Sequence, residues 1–193
     1  MERLSRVLCV MAVSLLDKED TGLVIIDIQD KLMQVMGRRE TIVTNIIKLL
    51  HLSSLFSLPV ILTEQYPKWL GTTILEIKES LSEYEPIRKM EFNCCDDDVF
   101  SKRLKSTGLK CLILTGVESH VCVFQTCFSL LEAGYSVHVP RNAVSSRTDE
   151  DWKVGLELMK EAGAVITSTE TLIFQMLKSA GTKEFKQMLK VIR

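Results

Sequence analysis

The length, composition and charge of the chain narrow its class before any motif is considered. It has 193 residues, of which 46% are hydrophobic and 25% charged, and its formal net charge is −1. This length predicts one globular domain, since domains span roughly 100–200 residues. With only 4 Pro and 9 Gly, collagen-like and disordered Pro/Gly-rich chains are excluded. No long basic block is present, so we expect neither a nucleic acid nor a membrane as partner.

Cysteine usage bounds the redox and metal chemistry. The 6 cysteines are scattered and form no C-x-x-C pair, and the 3 histidines are not clustered. That pattern argues against a zinc site and against a disulfide scaffold. The same pattern is typical of a reduced cytoplasmic protein whose thiols are mostly buried. Because the possible ligands are not clustered, we expect no bound metal ion.

The first residues allow two interpretations. Residues 1–6 are basic-leaning and residues 7–16 form an apolar-leaning run, which loosely resembles a signal peptide. No A-x-A-like cleavage site follows, and the run is too short for a membrane span, which needs about 20 residues. We therefore expect an N-terminal extension over residues 1–10 and a single domain over residues 11–193, beginning near Met11.

Short β-rich apolar runs alternate with helical patterns along the chain. The first half predicts a strand at 23–28, a helix at 41–56, a strand at 59–63, a short helix at 72–80 and a weak strand at 87–90. The second half predicts a helix at 96–107, a strand at 111–117, a helix at 121–133, a strand at 135–139, a helix at 149–162, a strand at 164–168, and helices at 169–179 and 182–192. This alternation predicts an α/β fold of three αβα layers, with a Rossmann-like parallel sheet of about six strands and helices on both faces.

Three residues with chemical potential come at the ends of predicted strands. Asp27 lies near the end of the first strand, Lys89 at the end of the third, and Cys122 opens the helix after the fourth. Ligands of open α/β sheets bind outside the carboxyl ends of the strands. We therefore expect all three side chains at one rim of the sheet.

Each of the three residues also has an ordinary structural interpretation. Asp27 is costly inside an aliphatic strand unless it is paired, but it could simply cap a neighbouring loop. Lys89 alone would be a solvated charge, although beside Asp27 it could be the compensating cation. Cys122 alone would be a small buried apolar residue. In the first turn of a helix, however, the helix dipole and a nearby lysine would lower its thiol pKa and make it a nucleophile.

Together these segments resemble one family over residues 15–193. The motifs are VIIDIQ at 24–29, Lys89 followed by Phe92, and GVESHVCV at 116–123. In this order they resemble the isochorismatase-like cysteine hydrolases. The segment LTEQYP at 62–67, followed by LG at 70–71, is similar to the isochorismatase-domain-containing group of that family.

The resemblance implies a catalytic triad of Asp27, Lys89 and Cys122. It also implies a cis peptide between Val117 and Glu118, next to an oxyanion hole formed by backbone N–H groups at Cys122 and near Glu118. Asp27 would accept the thiol proton, Lys89 would hold the carboxylate, and the Cys122 thiolate would attack a carbonyl carbon. Members of the family usually form homo-oligomers, so a dimer or tetramer acting on a small molecule without a cofactor is expected.

Two departures from the family pattern narrow the range of substrates and reactions that we expect. The nicotinamidase branch carries an Asp and His metal cluster after its second strand, whereas residues 63–69 here contain no His. Isochorismatases proper cleave an enol ether without needing a thiol nucleophile. Retention of Cys122 therefore favours an amide or imide carbonyl substrate. Asn93 stands where many relatives have Ser, and we attach no interpretation to this change.

The resemblance suggests five further residues for the substrate pocket. Tyr66 and Trp69 could line it or simply pack, and Phe92 is expected to pack over it. Gln29 could contribute to the pocket or order the local loop. His120 could shuttle protons, or it could instead support the site residues from behind or lie at an interface.

Two other classes of protein remain open at this point. A catalytically silent binding or scaffolding protein could retain the fold, because a fold alone does not establish an activity. A redox-active thiol protein is the other possibility, although no C-x-x-C motif supplies a resolving cysteine. Cys94, Cys95, Cys111 and Cys127 are interpreted as structural or incidental.

Overall fold

A computed structural model describes residues 15–192, which form an α/β fold built on a seven-stranded sheet in which every pairing between strands is parallel. The strands are β1 (Thr21–Ile26), β2 (Val60–Gln65), β3 (Ile87–Lys89), β4 (Cys111–Val117), β5 (Ser136–Pro140), β6 (Val144–Ser145) and β7 (Val165–Thr167). Their order across the sheet is β3-β2-β1-β4-β5-β7, and β6 pairs with the end of β4. The parallel α/β architecture expected from the alternating pattern is confirmed.

The helices fall into long packing helices and short turns near the ends of strands. The longer ones are α2 (Arg39–Phe56), α5 (Asp98–Ser106), α6 (Phe124–Glu132), α7 (Asp149–Glu161), α8 (Thr169–Leu177) and α9 (Lys183–Ile192). The shorter ones are α1 (Asp30–Met33), α3 (Pro67–Leu70) and α4 (Leu75–Lys78). A 3₁₀ turn at Cys94–Asp96 and a π-helical turn at Ser119–Val123 precede α5 and α6.

Strand β1 lies at the centre of two hydrophobic cores. Its side chains alternate, so that Leu23 and Ile25 join the core under α2, α8 and α9, while Val24 and Ile26 join the core under α5, α6 and α7. All four are at most 1% exposed. Burial on both faces explains why this strand is aliphatic throughout, as parallel strands between two helical layers are. The three-layer arrangement follows directly.

Several boundaries differ from the sequence prediction. Strand β1 ends at Ile26, two residues before the predicted end, because Asp27 adopts a left-handed φ of 54° that no strand accommodates. The two-residue strand β6 and the short helices α1 and α3 were not predicted, since segments of 2 to 4 residues carry too little periodicity. Of the helix predicted at 72–80, only α4 forms.

The strand order reverses direction between β1 and β4. From β1 the chain winds outward to β2 and β3, and then returns to add β4 on the other side of β1. A crevice at such a switch point is where open α/β sheets bind ligands. At this place Gly116 of β4 pairs with Ile26, and a side chain at Gly116 would put its Cβ 2.0 Å from the Ile26 carbonyl oxygen. Glycine is therefore required where the two strands approach.

The N-terminal expectation lies largely outside the described residues. Residues 1–14 are not described, so the predicted extension over residues 1–10 remains a prediction. Within residues 15–192, no helix has both the length and the apolar character needed to cross a membrane.

Candidate active site

Asp27 is a buried carboxylate at the carboxyl end of β1. It is 0% exposed. Its Oδ1 accepts a hydrogen bond of 2.7 Å from the Thr63 hydroxyl on β2, and its backbone carbonyl accepts one of 2.8 Å from the Gln29 N–H. The left-handed backbone turns the chain out of the strand at this residue. The carboxylate is thereby fixed at the switch point rather than inside the aliphatic core.

Lys89, the last residue of β3, supplies the compensating charge. Its Nζ lies 2.8 Å from Asp27 Oδ2, and both side chains are 0% exposed. The ammonium also donates to Gln65 Oε1 at 2.7 Å and to the Glu91 carbonyl at 3.1 Å. Burial lowers the pKa of Lys89, but the charge and hydrogen bond of Asp27, together with the nearby Cys94 and Cys122, outweigh burial, so the pKa is raised overall. The pair is therefore a fixed buried ion pair.

Cys122 reaches this pair from the π-helical turn that follows β4. The turn ends with Val123, whose N–H donates to the Glu118 carbonyl at 3.2 Å, and α6 begins at the next residue. Cys122 is 7% exposed. The charges of Asp27 and Lys89 both act on its thiol. The structure thus brings together the three residues expected at one rim.

The thiol differs from the sequence expectation in one respect. Burial raises the pKa of Cys122, the charge of Asp27 raises it further, and Lys89 only partly opposes them. The expected lowering by a helix terminus is wrong, because desolvation of the sulfur and the adjacent carboxylate dominate. The resting residue is a neutral thiol beside a carboxylate that can accept its proton.

A second thiol, Cys94, also lies within the field of the ion pair. It is 0% exposed, and its backbone N–H donates to Thr126 Oγ1, one helical turn after Cys122, at 3.0 Å. Burial raises its pKa to about 12, with Lys89 opposing and Asp27 adding to the shift. From the sequence, Cys94 was expected to be structural or incidental. Its pairing with α6 ties the 3₁₀ turn to the helix behind the nucleophile.

The loop before α7 braces the turn that carries Cys122. The peptide between Val117 and Glu118 is cis. Glu118 Oε2 accepts from the backbone N–H and the Nε of Arg147, each at 3.0 Å. Ser146 Oγ lies 2.6 Å from Ser119 Oγ and 2.9 Å from His120 Nδ1. His120 is thus held by Ser146 at the edge of the site.

Gln29 is buried and orders the loop after β2. Its Oε1 accepts from the Gln65 N–H at 2.7 Å, and its Nε2 donates to the carbonyls of Gln65 at 3.0 Å and Gly71 at 2.6 Å. It is 0% exposed, so every polar atom of its amide serves the protein itself. The loop-ordering interpretation of Gln29 fits these contacts better than a pocket-lining one.

The aromatic candidates lie at the surface. Tyr66, Trp69 and Phe92 are 41%, 64% and 57% exposed. Trp69 stacks under the Lys31 ammonium, which is 4.8 Å from its ring centroid. Tyr66 follows β2 directly and Phe92 lies three residues after Lys89, so both flank the rim on which the ion pair sits. Their place in a substrate pocket remains a prediction.

Gln65 and Glu64 are the polar residues at the site that the sequence analysis missed. Gln65 contacts Lys89 as described above. Glu64, 0% exposed, accepts from the N–H and hydroxyl of Thr73 at 2.7 and 2.8 Å and from the Tyr84 hydroxyl. The sequence signal for both residues was a Glu-Gln pair at the end of a strand. Polar side chains at such a position need hydrogen-bond partners once they are buried. Glu64 fixes the far end of the loop that carries Tyr66 and Trp69.

A glycine in α7 allows the helix to pack against the nucleophile turn. A Cβ on Gly155 would lie 2.6 Å from the carbonyl carbon of Ser119 and 2.8 Å from the backbone N of His120. Both distances are below any normal carbon contact, and both atoms are backbone. The turn that carries Cys122 therefore rests directly on the α7 backbone.

Gly155→Ala is expected to lower both stability and activity. Alanine favours a helix interior by about 1 kcal/mol over glycine. The backbone clash outweighs that gain and displaces the turn. Urea unfolding and turnover would check this, with Lys153→Ala on the exposed side of α7 as the control. An unchanged or raised stability of Gly155→Ala with full activity would contradict the close packing.

Across residues 15–192, no group of three or more His, Cys, Asp or Glu side chains is arranged to hold a metal ion. The side chains of Asp27 and Lys89 are hydrogen-bonded to each other, to the Thr63 hydroxyl, to Gln65 Oε1 and to the Glu91 carbonyl.

Curated relatives cover most of the chain. It is 36% identical over 177 residues to the secreted isochorismatase effector Isc1 of Phytophthora sojae, covering 89% of this chain and 83% of that protein. It is 34% identical over 179 residues to isochorismatase domain-containing protein 2 of Danio rerio, covering 92% and 89%.

Solved structures share the fold over the same span. The MAR1 ribonuclease of Caenorhabditis elegans has a TM-score of 0.87 and 36% identity, covering 93% of this chain and 92% of its own. YcaC from Pseudomonas aeruginosa, solved with hexane-2,5-diol and covalent acrylamide, has a TM-score of 0.87 and 26% identity, covering 94% and 93%. YcaC from Escherichia coli, described as an octameric hydrolase of unknown specificity, has a TM-score of 0.84 and 24% identity, covering 94% and 88%.

The model of the isochorismatase domain matches residues 21–171, from the first residue of β1 into α8. This span includes Asp27, Lys89 and Cys122. With a match of that length and relatives above 30% identity along most of the chain, the protein belongs to the isochorismatase family.

Proposed function

We propose that the protein is a cysteine hydrolase that cleaves a small amide- or imide-type carbonyl substrate through a thioester on Cys122. The observation that carries the proposal is the Asp27–Lys89 ion pair, 2.8 Å long and 0% exposed on both sides, next to a thiol. A buried ion pair is costly to desolvate and is weak support for stability. Its position at the strand-order switch favours a chemical role.

Proton transfer begins the reaction. Asp27 takes the proton of the Cys122 thiol as substrate enters and displaces water. The raised pKa of Cys122 keeps the sulfur neutral until then. Lys89 stays charged throughout and stabilises the new thiolate after Asp27 has lost its negative charge. The nucleophile is thus generated within the bound complex, where its reactivity is directed to the substrate.

Acyl transfer follows. The thiolate sulfur bonds to the carbonyl carbon, and backbone N–H groups at Cys122 and near Glu118 bind the oxyanion, each worth a few kcal/mol. The C–N bond then breaks, the nitrogen takes the proton from Asp27, and ammonia or an amine leaves. Water attacks the thioester, gives a proton to Asp27 and releases the acid; the thiolate recovers that proton. No cofactor is consumed.

The Pseudomonas aeruginosa relative supports a reactive nucleophile in this fold. Acrylamide is an electrophile that alkylates nucleophilic side chains, and it is covalently bound in that structure. A nucleophile on this scaffold therefore reacts with a small amide-bearing molecule. The Caenorhabditis elegans relative bears the name of a ribonuclease, so RNA belongs among the substrates tested.

The proposal is tested by screening wild type and Cys122→Ala with small amides, carbamoyl compounds, hydroxamates and an RNA oligonucleotide. We expect turnover of an amide-type compound by wild type and none by Cys122→Ala, whose thermal unfolding stays close to wild type. Retained turnover in Cys122→Ala would refute the nucleophile. Absence of turnover by the folded wild type across the panel would favour a silent binding protein instead.

We also propose a homo-oligomer, a dimer or tetramer, that works on a small molecule in the cytoplasm. Support comes from exposed apolar side chains on the neighbouring helices α6 and α7, where Phe128, Val154 and Leu158 are 38–45% exposed. The octameric state of the Escherichia coli relative points the same way. Light scattering on the purified protein measures the mass directly.

A further inference from the structure

The ammonium of Lys89 has three N–H groups, and each has a partner within the protein. They are Asp27 Oδ2 at 2.8 Å, Gln65 Oε1 at 2.7 Å and the Glu91 carbonyl at 3.1 Å. An ammonium can donate three hydrogen bonds and accept none. With all of them used and the side chain 0% exposed, Lys89 has no N–H free to reach a substrate oxygen.

The Gln65 side chain is itself held in place at both ends. Gln65 stands in register with Lys89 on the adjacent strand, and its Nε2 donates to the Met90 carbonyl at 2.7 Å. Because that nitrogen is engaged, the amide oxygen is turned toward the ammonium. Gln29 then binds the Gln65 backbone N–H and carbonyl at 2.7 and 3.0 Å. One chain of contacts therefore runs from Gln29 through Gln65 and Lys89 to Asp27.

We infer that Gln65 is a positioning residue which, seated by Gln29, occupies one donor of Lys89 and so makes Lys89 a fixed charge instead of a proton donor. The inference deepens the proposed hydrolase function and rests on it. Its chemical consequence is that the proton given to the leaving nitrogen comes from Asp27. The charged and titratable groups that face Lys89 are Asp27, Cys94 and Cys122, from three different segments, and only Asp27 is paired with it.

The test measures the rate of Cys122 alkylation by iodoacetamide against pH, with peptide mapping, in Gln65→Glu and Gln65→Met. In Gln65→Glu a second carboxylate shares the ammonium, so less of its charge stabilises the thiolate. In Gln65→Met the ammonium loses the acceptor that holds it in place, so its charge is less well placed to stabilise the thiolate. Labelling at pH 8.5 should slow by about tenfold in both, equivalent to one unit in the pKa of the thiol.

Gln125→Glu and Gln125→Met are the matched controls. Gln125 is exposed and lies three residues after Cys122 on α6, so the same changes there add charge or remove an amide without touching Lys89. Labelling profiles of the Gln65 variants that match wild type or these controls would overturn the inference. Faster labelling would also overturn it, since a merely loosened fold exposes the thiol.

Turnover separates this inference from the proposed function. If Cys122→Ala retains turnover, the hydrolase proposal fails, while the alkylation profiles still decide the role of Gln65. With an active substrate, Gln65→Met should lower kcat about tenfold with KM nearly unchanged, since Gln65 contacts Lys89 and no substrate group. An effect confined to KM would place Gln65 against the substrate and contradict the inference.

Discussion

Asp27→Asn should lose turnover by a factor of about 10²–10⁴, the usual contribution of a general base. At the same time its Cys122 should react faster with iodoacetamide at neutral pH. The charge of Asp27 raises the pKa of that thiol, whereas Lys89 lowers it. Removing the carboxylate therefore leaves a cation alone beside the sulfur and favours the thiolate. Activity and thiol reactivity would change in opposite directions.

The two measurements are made on one preparation. Steady-state turnover is compared with the rate of carboxamidomethylation of Cys122 by peptide mapping. Asp20→Asn serves as the control, because Asp20 immediately precedes β1, at the end opposite Asp27, and makes the same change of charge far from the thiol. A fall in both activity and alkylation of Asp27→Asn would contradict the assignment of Asp27 as the base.

Lys89→Met should destabilise the protein by about 3–5 kcal/mol, the cost of leaving one member of a buried ion pair without its partner. Asp27 would remain at 0% exposure, with the Thr63 hydroxyl and the Cys122 thiol beside it but no opposite charge. Without the cation, the charged carboxylate stays desolvated with no opposite charge beside it.

Urea unfolding of wild type and Lys89→Met measures this deficit. The double variant Asp27→Asn/Lys89→Met should recover much of the loss, because no unpaired charge remains. Lys102→Met provides the control: Lys102 makes only a solvent-exposed i,i+4 pair with Asp98, worth a few tenths of a kcal/mol. A deficit for Lys89→Met no larger than that of Lys102→Met would contradict a buried carboxylate left without its partner.

The sheet and its long helices could be predicted because each carries a strong local pattern. Strand β4 forms over the predicted residues, Cys111–Val117. Gly134 and Gly163 follow α6 and α7 within two residues with positive φ, as expected of helix stops. Strands buried on both faces and amphipathic helices can be predicted from sequence because the same pattern of burial repeats along the whole element. Strand β6 could not be found, since its two residues are defined only by their partner strand.

The sequence indicated which residues form the candidate site, but it did not indicate the electrostatics of that site. Asp27 was informative because an acid is costly in an aliphatic strand, and Lys89 and Cys122 followed from the geometry of parallel strands. The direction of the Cys122 pKa was not predictable, because it depends on how much water the fold removes around the sulfur. Gln65 escaped notice because an amide has no charge to signal its burial.

The packing of α7 against the nucleophile turn determines when the site can assemble during synthesis. The contact joins Ser119 and His120 to Gly155, some 35 residues further along the chain. When Cys122 has just left the ribosome, Asp27 and Lys89 are already outside it. The helix α7, which supports the turn, is therefore not yet released. The Cys122 thiol reaches its final environment only after α7 folds against the turn. During synthesis, the growing chain therefore carries a nucleophile whose site is not yet assembled.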